Sequence, residues 1–553
     1  MSSSFTARPA RAVDDPSNEH PPSRQLDPRH PGGAEQSESP ARTESPDDKA
    51  VASPTDTPSG DVVESIEGDT ATTSAPPPGM EGTSTPPNDE LQKFELNGWA
   101  RQTLELGFSN HARRDSQPEP GALPYDRFTS QSQLFVRARY ARGRWFEAAV
   151  SGALTYSLFE QGTDSSSKSF NGFNGQSARG VLEPRLQELF IGLFADKFDF
   201  RIGQQRLAWG RGEFVSPNDV MNARDLRNPF VSETELRTLP TFLLRADLDL
   251  GFGSLQGVIA PVFTPDRFDV SDSNWAALQP DAPLWMRGLA GIARHSLDPT
   301  LQERAQRLLE ATQYPKQNFT EPVLGARFAW SAGGVDVNHY YQYGFDGPLV
   351  SVAPDLREAL TNVDWATAGL TTLQPLFAAI DAGQNPIRVR YERRHHVGLD
   401  AATTVGPIAI RLDTAYQSKR GFFRRDFTSV VSPSLQTVLA LEYQTFDKNK
   451  LILIEGVYQR IMDTLPYPVL LYKLDSFAVA GTVRWPVWGA WGFDVRSIVG
   501  IYPRTLILQP ELTFKPDPLN ISLGGLWLDG AAFTLGDYYR RNREVYVKAR
   551  YFF

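Results

Sequence analysis

Three groups of residues in this 553-residue chain are of types that could do chemistry, and their spacing limits what each could do. Seven histidines stand at 20, 30, 111, 295, 339, 395 and 396, none in a metal-binding spacing such as His-x-x-x-His. On an extended strand His395 and His396 would point to opposite faces, which suits a membrane-interface strand better than a ligand pair. No Gly-x-Ser-x-Gly turn, phosphate-binding loop or Rossmann glycine cluster follows residue 93, so catalysis has no foothold and no metal or cofactor is expected. The second group is the stretch from Gly203 to Pro229, which carries Trp209, Arg211, Glu213, Asp219, Arg224, Asp225 and Arg227. Its pattern shapes a loop. Gly210 and Gly212 permit tight bends beside Trp209, and Ser216 is placed to cap a short helix opened by Pro217, with Asp219 reaching back to the cap. The third group is a set of charges that recur at alternate positions of apolar runs, among them Arg101, Arg137, Arg139, Asp247, Arg388, Arg390, Arg394, Arg411, Arg496, Lys548 and Arg550.

Those apolar runs are the elements that must position the charges. The last ten residues show the pattern most plainly: Val545, Val547, Ala549, Tyr551 and Phe553 share one face of an extended strand, and Glu544, Lys548 and Arg550 share the other. A strand that ends on Phe553 needs a partner for its edge, and pairing with the first strand would supply one. That first strand begins near Phe94, with Leu96, Ala100, Leu104 and Leu106 on one face and Glu95, Asn97, Arg101 and Glu105 on the other. Further runs of period two follow to the chain end, near 134–140, 146–158, 186–195, 197–207, 240–250, 253–264, 322–332, 334–345, 387–403, 406–417, 434–446, 449–461, 471–485, 488–501, 504–514 and 519–528. The total is about 18 strands. Short links such as Arg142-Gly143, Ala195-Asp196 and Gly251-Phe252-Gly253 alternate with long loops near 109–126, 160–182, 207–239, 265–321, 346–386, 418–433, 462–470 and 529–542. Only Tyr502-Pro503-Arg504 is short on the long-loop side. Two long loops read as helical, one opening at Asp298-Pro299 with Leu301, Ala305, Leu308 and Leu309 in a stripe, the other from Pro354 with Leu356, Leu360 and Val363, interrupted before Pro375. They would cover the barrel mouth or act as a lid.

The expected fold is therefore all-β: a transmembrane antiparallel β-barrel of about 18 strands over residues 93–553, with helical insertions in outer loops. Mean hydropathy of -0.36 and the lack of an 18-residue apolar run argue against membrane helices, not against a barrel whose strands are only half apolar. Residues 1–92 are rich in Pro, Ser, Thr and acidic side chains, with Phe5 the only aromatic, and such a segment cannot bury enough apolar surface to offset its ordering entropy. It is expected to be a disordered periplasmic arm, with a partner-binding tether as the alternative. No apolar signal core follows Met1, so the true start is expected upstream or the signal already removed. The absence of cysteine excludes disulfides and thiolate chemistry. A net charge of -9 with dispersed basic residues gives no footprint for nucleic acid.

Charges at the membrane midplane cost about 2–4 kcal/mol each on a lipid face, so the alternate charged positions should face a wet lumen. If the last strand closes on the first, Lys548 and Arg550 join Arg101, Arg137 and Arg139 on one wall, and Arg388, Arg390 and Arg394 form a second strip. Such walls either attract anions or form a salt-bridged web with Glu95, Glu105, Glu147 and Glu544. The stretch Trp209-Gly210, Glu213, Pro217-Asn218-Asp219, Asn222 and Asp225, followed by Glu235-Leu236-Arg237 and Thr264-Pro265, resembles a family of poorly characterised proteobacterial outer-membrane barrels. That family carries a Trp-Gly…Asp…Pro-x-Asp…Asn-Pro-x-Asp loop and is similar in plan to alginate-export-type barrels. Glu213 stands near the family's acidic position, and Ala223 replaces its proline. The resemblance implies a third outer loop folded into the lumen, with Arg211, Glu213, Asp219, Arg224, Asp225 and Arg227 as constriction residues beside Trp209.

The expected function is a porin-like outer-membrane channel for passive diffusion of small, anionic solutes. Two alternatives stay open: an export channel for lipid or polysaccharide working with an inner-membrane pump, and a barrel-anchored enzyme or structural protein. Expected partners are outer-membrane lipid, the barrel-assembly machinery reading Tyr551 and Phe553 as a C-terminal insertion signal, and a periplasmic protein on the N-terminal arm.

Overall fold

The computed structural model describes residues 92–108, 128–158, 182–230, 234–267, 320–347, 349–352, 387–425, 428–445, 450–463 and 473–553, with shorter pieces at 298–309 and 372–382 and isolated positions between 268 and 386. The N-terminal arm up to residue 91 and the helical segment expected from Pro354 through Val363 lie outside the described residues, save Val363 itself, which is in no helix.

Alternation of apolar and polar side chains is satisfied by a sheet whose two faces meet different media, and here the sheet closes on itself. Eighteen strands form one antiparallel sheet: β1 (Gln92–Gly107), β2 (Phe128–Arg142), β3 (Phe146–Leu158), β4 (Leu182–Ala195), β5 (Phe198–Gln205), β6 (Thr241–Asp249), β7 (Gly253–Ala260), β8 (Val323–Ala332), β9 (Val335–Phe345), β10 (Arg393–Val405), β11 (Ile408–Phe423), β12 (Ser429–Gln444), β13 (Leu451–Ile461), β14 (Asp475–Trp488), β15 (Trp491–Tyr502), β16 (Thr505–Phe514), β17 (Leu519–Gly530) and β18 (Glu544–Phe552). Each pairs with the next in sequence, and β18 pairs with β1 from Trp99↔Phe552 to Gly107↔Glu544. Closure leaves no free sheet edge, so strand amides find partners in neighbouring strands where no water is available.

The seam is tight. Gly98 N–H donates to the Phe553 carbonyl (2.9 Å) and Phe553 N–H donates back to Gly98 (3.0 Å). A Cβ on Gly98 would stand 2.4 Å from the Phe135 carbonyl oxygen and 2.7 Å from the Phe553 ring. On the outward face Phe94, Leu96, Leu104, Leu134, Val150, Leu189, Ile191, Leu193, Leu439, Leu441, Ile454, Leu523 and Val547 are exposed. The inward face holds buried Arg101, Glu147, Arg394, Asp400, Asp413, Glu442, Glu455 and Arg550. Greasy outside and charged inside is the profile of a membrane-spanning barrel. Eight turns of two to six residues lie at one end, and the longer loops gather at the other, with Pro503-Arg504 and the five-residue link 424–428 the short exceptions there.

Four expectations change. Arg388 and Arg390 do not belong to the wall: Ile387–Arg390 pairs with Leu349–Val352 and Thr312–Gln313 in a separate three-stranded sheet, and the barrel strand starts at Arg393. The long loop expected near 418–433 shrinks, because β11 runs on to Phe423 through a bulge between Gln417 and Arg420 and β12 starts at Ser429. Ser216 caps no helix; Pro217 and Asn218 form a turn, because the Ser216 hydroxyl is taken by Asp413 and by the Trp209 carbonyl. Pro375 does not end a helix but opens one, Gln374–Asp381, in the first turn where a missing N–H costs nothing. The other loop helix, Pro299–Leu309, has the expected cap, Asp298 Oδ1 accepting from Thr300 N–H at 2.9 Å.

A Gly98→Val substitution should force the seam apart, an overpacking cost of about 1–3 kcal/mol. The fraction of protein that resists SDS before heating should fall on heat-modifiability gels, while Ala100→Val, facing outward beside it, should leave that fraction as in wild type.

Candidate functional site

The residues from 206 to 240 join β5 to β6 without forming a barrel strand of their own, so their amides must find acceptors elsewhere. They find them on the inside of the wall. Arg211 N–H and Gly212 N–H donate to Asp413 Oδ2 on β11 (3.0 and 3.3 Å), and Glu213 N–H and Phe214 N–H donate to the two oxygens of Glu455 on β13 (2.6 and 3.1 Å). The Ser216 hydroxyl (2.9 Å) and the Asn218 amide (2.5 Å) complete the shell of Asp413. Arg211 Nε donates to Asp400 on β10 (2.7 Å), which also accepts from Asn338 and Tyr340 on β9. Trp209, 2% exposed, sends its indole N–H to Gln256 on β7 (2.8 Å) and packs on Leu207, Met221, Leu243, Val258 and Tyr340. Asn218 also meets His396 Nε2 (3.0 Å), and it does so in a notch: a Cβ on Gly398 would sit 1.6 Å from Asn218 Oδ1.

The second half of the loop is held on the opposite wall. Asp225 accepts from Arg185 of β4 (2.7 Å) and, through both oxygens, from Arg227 (2.9 and 2.7 Å). Glu183 of β4 accepts from Arg227, Arg185 and the fully buried Arg267. Burial alone would raise the Asp225 carboxyl, but Arg227, Arg185 and Arg267 hold it well below the usual carboxylate range. A depressed folded pKa stabilises the fold above the unfolded value, so this contribution is complete at neutral pH and lost only in strong acid. Asn228 donates to Glu105 of β1 (3.1 Å), and Gln509 of β16 donates to the Phe230 carbonyl (3.2 Å). The loop thus spans the lumen, anchored on strands around the whole circumference.

Of the sequence-derived site residues, Trp209, Arg211, Asp225 and Arg227 are anchors rather than free charges. Asp219 and Arg224 pair with one another (3.1 Å), and burial pushes the Asp219 carboxyl up. Glu213 differs. Its side chain has no ion-pair partner within contact among the described residues, and it lies in the field of Arg411, Arg496 and Arg484 on the wall. Burial raises its pKa above 4.5, those arginines lower it, and Glu442 raises it. The wall charges form a web: Arg139 with Glu147 (2.7 Å), Arg137 with Glu188 (3.5 Å), Arg245 with Asp247 (2.6 Å), Arg411 with Glu442, Arg484 with Asp494 (3.6 Å) and Lys548 with Glu511 (3.0 Å). Arg101 donates to Gln133 (2.5 Å) and stands across the seam from Arg550, which lies over Trp99 at 5.0 Å. Arg496 makes no such contact among the described residues; its charge reaches Glu213 and Glu511 through space.

Asp400, Asn218 and Glu455 were not singled out from sequence. Glu455 could have been: it is the one carboxylate on the inward series Leu451, Leu453, Glu455, Val457, Gln459.

No family model and no curated protein matches this chain. Among solved structures it is similar to OccK7 (OpdD) of Pseudomonas aeruginosa, with 8% identity and TM-score 0.39 over 84% of this chain and 98% of that one. It is also similar to OmpF of Salmonella typhi in complex with daunomycin, with 10% identity and TM-score 0.35 over 84% and 98% of the two chains. For OmpT of Vibrio cholerae the values are 11%, 0.33, 84% and 100%. The closed strand pairing, not these overlaps, defines the fold.

An Asp413→Ala variant removes the acceptor of four donors, each charge-assisted bond worth about 1.5–3 kcal/mol. Amides 211 and 212 should exchange with deuterium at least tenfold faster, because about 1.4 kcal/mol is a factor of ten, while the β2–β3 amides stay protected; unchanged exchange would mean that the carboxylate does not hold the loop.

Proposed function

We propose that this protein is an outer-membrane channel through which small polar solutes diffuse passively, with the third long loop as its constriction. The observation that carries this reading is Glu213, presented on a loop pinned across the lumen and facing Arg411, Arg484 and Arg496 on the wall. A closed barrel whose interior were only a support would gain nothing from keeping ionisable side chains there, since apolar packing costs less than buried charge. A passive pore needs only a polar lining, a narrow point and a field across it. Opposed charges at the narrow point supply that field, Glu213 and Glu442 standing against Arg411, Arg484 and Arg496. The lipid-facing band and the seam strand carrying Tyr551 and Phe553 support insertion into an outer membrane by machinery that reads the final strand.

Planar-bilayer recording tests this. The purified barrel should conduct steadily, and Glu213→Gln should raise the anion-to-cation permeability ratio by about twofold or more. The raised pKa of Glu213 gives a second arm: acidification should shift wild-type selectivity toward anions at a pH above the ordinary glutamate value of 4.5, and Glu213→Gln should reduce that shift. A silent barrel, or selectivity indifferent to Glu213, overturns the reading.

A further inference from the structure

On the loop end of the lumen, above Phe214–Val220, lies a cavity of about 400 Å³, within the roughly 300–1,000 Å³ range of small-molecule sites. Its wall comes from neighbouring strands β10 to β14, which direct Arg394, Gln417, Gln436, Gln459 and Ser476 into it. Register makes these a row: Gln417 lies opposite Ser434, Gln436 opposite Gln459, and Gln459 opposite Ser476. Several of their polar atoms have nothing to bond. Arg394 Nε and Nη1, Gln417 Oε1 and Gln459 Nε2 are buried without a hydrogen-bond partner. Arg394 is 6% exposed, Gln417 7% and Gln459 4%. Asp346 Oδ1 lies 3.4 Å from Arg394 Nη1, an ion-pair distance without an aligned hydrogen bond. Buried polar side chains left without full partners are costly, so a row of them lining a cavity is a template for something that meets their polar ends.

The chemistry of the row specifies the visitor. The Arg394 guanidinium, held to Asp346 by an ion pair without an aligned hydrogen bond, can donate to a carboxylate, and carboxamides on three successive strands match hydroxyl groups. A carboxamide presents a donor and an acceptor, so either glutamine serves a hydroxyl in either role. Charge agrees: the cavity is lined by Arg224, Arg394 and Arg420 against Asp219 and Asp346, an excess of one cation. Phe214, Val457 and Tyr502 give it apolar sides against which a carbon skeleton can lie.

We infer that this cavity binds a small polyhydroxylated monocarboxylate, a sugar acid, with its carboxylate on Arg394 and its hydroxyls on the Gln417, Gln436, Gln459 row. The inference deepens the channel reading, which it needs for its role in transport, but binding itself is measurable without conductance.

Single-channel current is recorded with gluconate, sorbitol (hydroxyls, no carboxylate) and propionate (carboxylate, no hydroxyls) added from the loop side. Gluconate should interrupt the current at concentrations at least tenfold lower than either control. Arg394→Met should bring gluconate level with sorbitol, and Gln459→Leu, which keeps the cation, should bring it toward propionate; each comparison is internal to one variant. Heat-modifiability gels confirm that each variant is folded. A conducting barrel on which the three solutes act alike overturns the site while leaving the channel intact. Should the barrel be silent, calorimetric titration of the full-length protein in detergent with the same three solutes decides the site alone: gluconate heat lost in both variants supports it, and no gluconate heat in wild type overturns it.

Discussion

Everything inside this barrel depends on four consecutive backbone amides, at positions 211 to 214, meeting two carboxylates that project from the wall, Asp413 and Glu455. Each party has a problem that the other resolves. A carboxylate pulled partly out of water loses hydration worth far more than one hydrogen bond, and a loop with no helix or strand has amides that need acceptors. Brought together, they form charge-assisted bonds in a shielded interior, where such bonds are shorter and about twice as strong as neutral ones. Without this match the loop would have no reason to leave solvent and cross the lumen.

The anchoring is directional, and that gives the site its geometry. Asp413 takes donors from both ends of the turn at Pro217, so residues 211 to 218 close into a compact lobe against β10, β11 and β13. Asp225, Arg227, Glu183 and Arg267 form a second anchor on β4, built from bidentate pairs that stay ionised through the neutral range. Within the first lobe the Glu213 side chain is left in the field of the arginines of the wall. A loop fixed at both ends places one charge at a defined height, whereas a free loop would screen and average it.

The two sides of the loop then acquire different characters. Toward β11 to β16 the wall is ionic, with Arg411, Glu442, Arg484, Asp494, Arg496 and Glu511 forming alternating signs that rigidify the sheet while keeping the lumen polar. Toward the loop end of the lumen the same strands carry glutamine and serine, and the only strongly buried cation is Arg394 among the cavity residues described.

Alternation along the chain by itself determined the architecture: which runs are strands, which side chains face inward, how the connections divide between short and long, and that the ends meet. A strand's period of two is local, so each run declares its own faces without reference to any other. The charges at 101, 137, 139, 247, 394, 411, 496, 548 and 550 were legible as inward for that reason. What only the tertiary structure decided is what each charge does. Arg139 belongs to Glu147 and Arg411 to Glu442 because register sets which residues lie abreast, and a shift of one residue would turn every side chain to the other face. Arg388 and Arg390 read as wall because their alternation is that of a strand; that they pair with 349–352 instead is a choice of partner, which alternation does not encode. The course of the third loop across the lumen rests on bonds between residues some 200 positions apart, such as Arg211 to Asp413 and Glu213 to Glu455, and no local pattern carries information over that distance.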